Sequence, residues 1–192
     1  MKTVYFDIDT QLDFIVPSGA LYFAGAERIL PAIRTLNQRA AATGAVVISS
    51  TDAHRENDEE FHHWPPHCII GTLGQRKPQS TLLDKQVVVP WREHLIDITG
   101  AQQIVLQKRV LDVFRNPNLA GILDLLAADR YVLYGVATEI CVSCAADGLL
   151  NSGKRVELVT DAIMGVNAAE SEKVISSFTA RGGVLTTVAS LS

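Results

Sequence analysis

The chain has 192 residues, of which 47% are hydrophobic and 20% charged, and a formal net charge of −4. That length suits a single α/β domain spanning 1–192 and is too short for two, and the composition excludes a disordered chain. The acid excess argues against a general nucleic-acid surface, no apolar run has the roughly 18 to 20 residues that cross a bilayer, and three cysteines fit no disulfide framework.

The opening MKTVYFDIDT carries acids where a signal peptide needs a continuous apolar stretch, so a cytoplasmic location is expected. In chain order, short blocky apolar segments read as strands at Thr3–Asp9, Ala45–Ser50, Gln103–Lys108, Tyr131–Ala137, Arg155–Thr160 and Val184–Val188. Stretches of helical length lie between most of them. Ala26–Ala42 places Ile29, Leu30, Ile33 and Leu36 on one face, and Leu119–Ala128, Glu139–Asn151 and Ala169–Arg181 read the same way. Gly44, Gly153 and Gly182 each follow a predicted helix, where a left-handed cap is wanted. Thr51–Lys85 and Arg109–Pro117 are the two long irregular segments, of a length that usually carries function or motion.

Strands alternating with helices predict a three-layer, doubly wound and mostly parallel sheet. Ligands of such sheets bind beyond the carboxyl ends of the strands. Asp9, Asp52, His54 and Lys108 all fall at or after predicted strand ends, and Cys141 lies just past another. One rim is therefore expected to gather them.

Four of the five histidines lie between positions 54 and 67, in TDAHRENDEEFHHWPPHC. Imidazoles with a carboxylate hold a divalent transition metal and leave positions open. Asp52 and His54 are two apart in extended chain and point the same way, while His67 comes from the far end of the loop. Glu60, His62 and His63 are candidate further ligands. The alternative is an exposed polar loop. His94 has no such company and is expected at the surface.

Cys141 sits in GVATEICVSC at a strand–helix junction. With Thr138 as N-cap it takes the third helical position, where the helix dipole and a nearby lysine favour thiolate. The alternative is a small buried hydrophobe, which is also the reading for Cys144 and, with metal ligation beside His67 as its alternative, for Cys68. Asp9 ends an apolar strand, where a carboxylate needs a partner; Lys108 can supply it and Asp9 can take the thiol proton. A turn-capping Asp9 and a solvated Lys108 are the alternatives, and Asp7 shares the strand parity of Asp9.

DTQLDF (Asp9 to Phe14), the Asp52-x-His54 pair, WPPHC (Trp64 to Cys68), Lys108 and GVATEIC resemble, in that order, the isochorismatase-like cysteine hydrolases, and within them the nicotinamidases. The resemblance implies the isochorismatase-like hydrolase fold and a catalytic triad of Asp9, Lys108 and Cys141. It implies an oxyanion hole from the backbone N–H groups of Ala137 and Cys141, with a cis Val136–Ala137 bond. Asp52, His54 and His67 match the ligands of one divalent metal, zinc first, with iron and manganese as alternatives. Phe14 and Trp64 match the aromatic residues that sandwich a flat ring. The implied reaction is hydrolysis of a small carboxamide through a thioester, nicotinamide to nicotinate and ammonia being the leading case, by a homo-oligomer that binds neither membrane nor nucleic acid. Two positions depart from the nicotinamidase pattern: Glu60 stands where some members have histidine, and RVLDVFRNPNL follows Lys108 in place of a Gly/Ser/Tyr-rich segment.

Other readings use the same residues. Another small amide or carbamoyl compound is the alternative within the family. Asp7-Ile8-Asp9-Thr10 resembles the opening of haloacid-dehalogenase-type phosphatases, with Asp7 as nucleophile. A receiver-like signalling module built on Asp9, Asp52 and Lys108 is the non-catalytic option.

Overall fold

The computed structural model describes residues 1–93 and 97–191; His94, expected at the surface, lies outside the described residues. Seven strands form one all-parallel sheet with helices on both faces. They are β1 (Thr3–Ile8), β2 (Val46–Asp52), β3 (Gln86–Val89), β4 (Gln103–Lys108), β5 (Arg130–Val136), β6 (Arg155–Met164) and β7 (Val184–Thr186), in the order β3-β4-β2-β1-β5-β6-β7. The helices are α1 (Leu12–Ile15), α2 (Leu30–Thr43), α3 (Leu119–Leu126), α4 (Ser143–Asn151) and α5 (Ala168–Ala180).

β1 lies mid-sheet between β2 and β5. The chain leaves β1 on one side, returns, and builds the other half from β5 onward, so the crevice beyond β1 is a topological switch point. β1 and β5 are buried on both faces, with Phe6, Ile8, Val132 and Leu133 inaccessible to solvent. That is why they read as continuous apolar runs.

Differences from the predicted elements have local causes. β3 was not foreseen: it is a four-residue edge strand, and Val88 is more than half exposed. The chain predicted helical from Ala26 opens with a 3₁₀ turn, Ala26–Ile29, before α2, whose first turn contains Pro31. β6 runs on to Met164, past a register shift opposite Leu133 and Gly135, whereas β7 stops at Thr186. Gly44 caps α2 in the left-handed conformation, and Gly153 and Gly182 adopt positive φ just beyond α4 and α5.

Gly135 is the tightest point of this frame. It has φ +122°, and a Cβ there would strike the backbone of Ile8 on the neighbouring strand. Neither the conformation nor the space admits a side chain. Gly135→Ala is expected to cost about 3 kcal/mol or more, read as a lowered denaturant midpoint; unchanged stability would contradict the packing described.

Candidate active site

Three of the predicted residues converge beyond the ends of β1, β4 and β5. Asp9 follows β1 with φ +50°, a left-handed turn that takes it out of the strand. Its backbone N–H donates to Ser50, and its carboxylate accepts from Ser50 Oγ at 2.7 Å. Lys108 closes β4 and is fully buried; its Nζ lies 2.9 Å from Asp9 Oδ2, 2.5 Å from Asp52 Oδ1 and 3.6 Å from Cys141 Sγ. The strand parity of Asp7 proves irrelevant, because Asp9 has left the strand. Asp7 is neutralised by Lys77 at 2.9 Å and accepts from Thr10, Ser49 and Asn37.

Burial opposes the charge on Lys108, but the Asp52 and Asp9 carboxylates hold its pKa well above the ordinary lysine value. Burial raises Asp9 above the usual carboxylate range against the pull of Lys108. Burial likewise pushes the Cys141 thiol up, opposed by Lys108 and reinforced by Asp9 and Asp52. The expectation that dipole and lysine would favour a resting thiolate is therefore corrected: removal from water outweighs the pull of Lys108.

The helix geometry is corrected too. Ala137, not Thr138, is the N-cap, and Thr138–Val142 forms a π-turn leading into α4. The Ala137 carbonyl accepts from Ile140 at 3.0 Å and Val142 at 3.2 Å, so the widened turn passes over Cys141. Such one-turn π segments recur at functional sites. The Val136–Ala137 peptide is cis.

Asp52, His54, Glu60 and His67 bring donor atoms within 4.8 Å of one another. His54 Nε2 is 4.0 Å from Asp52 Oδ2 and 3.9 Å from Glu60 Oε1, and His67 Nε2 is 3.8 Å from each of those oxygens. Both rings are oriented from behind. His54 Nδ1 meets Asp58 Oδ2 at 3.0 Å and His67 Nδ1 meets the Pro65 carbonyl at 2.7 Å, so each turns an Nε2 lone pair inward. His54 Nε2 is buried without a hydrogen-bond partner, and burial lowers that imidazole's pKa to about 4, keeping it neutral. Burial, with the charge of Asp52, raises Glu60 to about 7. Two imidazoles and two carboxylates around an orphaned nitrogen fit a divalent transition metal. His62 and His63 are exposed and take no part, so of the three further candidates only Glu60 joins Asp52, His54 and His67. Cys68 is a packed thiol, its N–H held by Asp13 Oδ2 at 2.6 Å.

The two groups share a wall. A cavity of about 150 Å³ is lined by Asp9, Asp52, Glu60, His67, Ala137 and Cys141 and by apolar and aromatic side chains, Phe14 and Trp64 among them. Asp52 joins the groups directly, with one oxygen on Lys108 and the other facing the imidazoles.

The isochorismatase domain family matches residues 3–190 of the chain. The chain belongs to this family. It is 26% identical over 182 residues to a nicotinamidase of Acinetobacter baylyi, covering 83% of this chain and 80% of that one. Its fold matches the crystal structure of a nicotinamidase/pyrazinamidase from Bacillus subtilis with a TM-score of 0.83 at 24% identity, covering 97% and 100% of the two chains. It also matches a pyrazinamidase of Pyrococcus horikoshii in complex with zinc, with a TM-score of 0.81 at 25% identity and coverage of 97% and 99%. Among the described residues of this family member, no helix is long and apolar enough to cross a membrane.

Two supporting residues, Asp58 and Gln11, gave only faint signals in the sequence. Asp58, buried in the loop, holds His54 and the Arg55 N–H and is gripped in turn by the Arg109 guanidinium. Gln11 clamps the backbone of Asp52, accepting from its N–H at 2.6 Å and donating to its carbonyl at 2.8 Å. The signal for Gln11 was its place in DTQLDF; for Asp58 it was only an acid four residues after His54. Asp58→Ala is expected to weaken metal binding 10- to 100-fold, the usual effect of losing a partner behind a ligand histidine. Competition against a chromogenic chelator measures it, and an unchanged affinity would remove Asp58 from that role.

Proposed function

We propose that this isochorismatase-family hydrolase cleaves the C–N bond of a small flat carboxamide, with nicotinamide the leading substrate, through a thioester on Cys141. What supports the reading above all is that Asp52 connects two constellations, Asp9–Lys108–Cys141 and the cluster with His54, Glu60 and His67, on one cavity wall.

In this mechanism Asp9 takes the thiol proton as Sγ attacks the carbonyl carbon, and Lys108 offsets the negative charge on both groups. The backbone N–H groups of Ala137 and Cys141 receive the developing oxyanion, a donor of this kind contributing about 3 kcal/mol. Collapse of the intermediate breaks the C–N bond, and Asp9 hands its proton to the departing ammonia. Water then opens the thioester with Asp9 as base, releasing the acid and restoring the thiol. Phe14 and Trp64 hold the ring by its faces. Asp52, His54 and His67, with Glu60, would hold the divalent metal, zinc before iron or manganese, which when bound supplies a Lewis acid to orient the ring and polarise water. In the same reading the chain works as one domain, in the cytoplasm and as a homo-oligomer.

A different amide or carbamoyl substrate is the second reading, supported by Leu111 of the unusual segment after Lys108, which lines the cavity. The phosphatase alternative finds no support: Asp7 has no solvent exposure and is tied to Lys77. Ammonia release from nicotinamide, pyrazinamide, benzamide and N-carbamoyl compounds by metal-loaded protein tests the proposal. Preference for the ring amides is expected; turnover of carbamoyl compounds alone would replace them as substrate, and release from none would end the amidase reading.

A further inference from the structure

The cavity does not end at its aromatic walls. A wider cleft of about 770 Å³ adjoins it and shares Glu60, Trp64 and Leu111 with it. Trp91 and Val110, with the polar residues Arg55, Asn57, Asp58, Glu59, His63 and Arg109, complete the cleft. Leu111 and Val110 are more than a third exposed there, and Trp91 is half-buried. Arg109 is engaged with Asp58, and Trp64, Trp91, Val110 and Leu111 form the apolar part of a lining that is otherwise polar.

Where the cleft joins the cavity decides what it can hold. None of its lining residues is Asp9, Ala137 or Cys141, so it does not open from the end where the amide nitrogen leaves. It meets the cavity at Glu60, Trp64 and Leu111, beside the aromatic residue assigned above to the ring. Resting on the amidase reading above, we propose that this cleft is a second substrate subsite, and that the preferred substrates are flat carboxamides carrying an apolar or aromatic substituent on the acyl ring, seated between Leu111 and Trp91. The leaving group stays small.

Leu111 and Val110 belong to the segment whose sequence departs from the nicotinamidase pattern. A Leu–Val–Trp patch in a cleft that shares its lining with a reactive cavity can seat apolar matter. Each methylene seated there strengthens transition-state binding by up to about fourfold, and a ring stacked on an indole adds to this.

The test compares nicotinamide with nicotinamides bearing methyl, propyl or phenyl at ring position 5, in the metal-loaded wild type and in Trp91→Ala. Trp91 lines the cleft alone, so nicotinamide itself should react alike in both proteins. In the wild type kcat/KM should rise by about tenfold or more from nicotinamide to the propyl and phenyl compounds, mainly through KM, and Trp91→Ala should erase most of that rise. Slower cleavage of the larger amides, or a gain that survives Trp91→Ala, would overturn the subsite while leaving the amidase reading intact. If no amide is cleaved, that reading fails instead. The cleft is then judged by calorimetry with nicotinamide and its 5-phenyl derivative: tighter binding of the phenyl compound, lost in Trp91→Ala, sustains it, and equal affinities refute it.

Discussion

Cys141→Ala is expected to lose at least about 10⁴-fold in kcat, since removing the nucleophile of such a constellation leaves only binding and the oxyanion donors. The fold should survive. Cys141 sits at the cavity wall with 7% exposure, so losing one sulfur enlarges an existing space and costs about 1 kcal/mol. Metal content should be unchanged, because the sulfur is not among the clustered donors. Metal analysis, thermal melting and ammonia release on one preparation check all three. Turnover retained within tenfold would refute the covalent route, and loss of metal would show that the two constellations are less separable than their geometry implies.

Asp9→Asn is expected to lower kcat by about 10² to 10⁴, the range for a positioned proton carrier. Its shape is conserved, and Lys108 keeps Asp52 at 2.5 Å, so the ammonium is not stranded; a destabilisation of about 1 to 3 kcal/mol is expected from the lost ion pair. A purely structural role would stop there. A proton-carrying role has a further consequence, because the Asp9 carboxylate raises the Cys141 pKa. Its loss should lower the thiol pKa, so small alkylating reagents should modify Cys141 at lower pH in the variant than in the wild type. A more readily ionised thiol together with slower turnover is the signature of a missing proton carrier. Slower turnover with unchanged alkylation would assign Asp9 to support of the fold.

The strand-end residues were legible in the sequence because a parallel sheet makes a simple rule of placement. Buried strands are continuous apolar runs, and polar residues that interrupt their carboxyl ends must face the crevice; Asp9, Asp52 and Lys108 do so. The edge strand Gln86–Val89 escaped because its one covered flank leaves too short and too mixed a pattern. Asp58 and Gln11 escaped for another reason. Their partners are chosen by how the chain folds back in space, and a polar residue outside the regular elements has no period to betray it. The resting state of Cys141 was misjudged because the sequence displays the dipole and the lysine but not the depth of burial.

The central claim is a carbon–sulfur bond between substrate and Cys141. The most direct measurement is a crystal structure of the metal-loaded protein with pyridine-3-carboxaldehyde, the aldehyde counterpart of nicotinamide. The account predicts a tetrahedral carbon bonded to Cys141 Sγ, its oxygen toward the Ala137 and Cys141 amides. An aldehyde that occupies the cavity with its carbonyl planar and its carbon unattached to sulfur would contradict it.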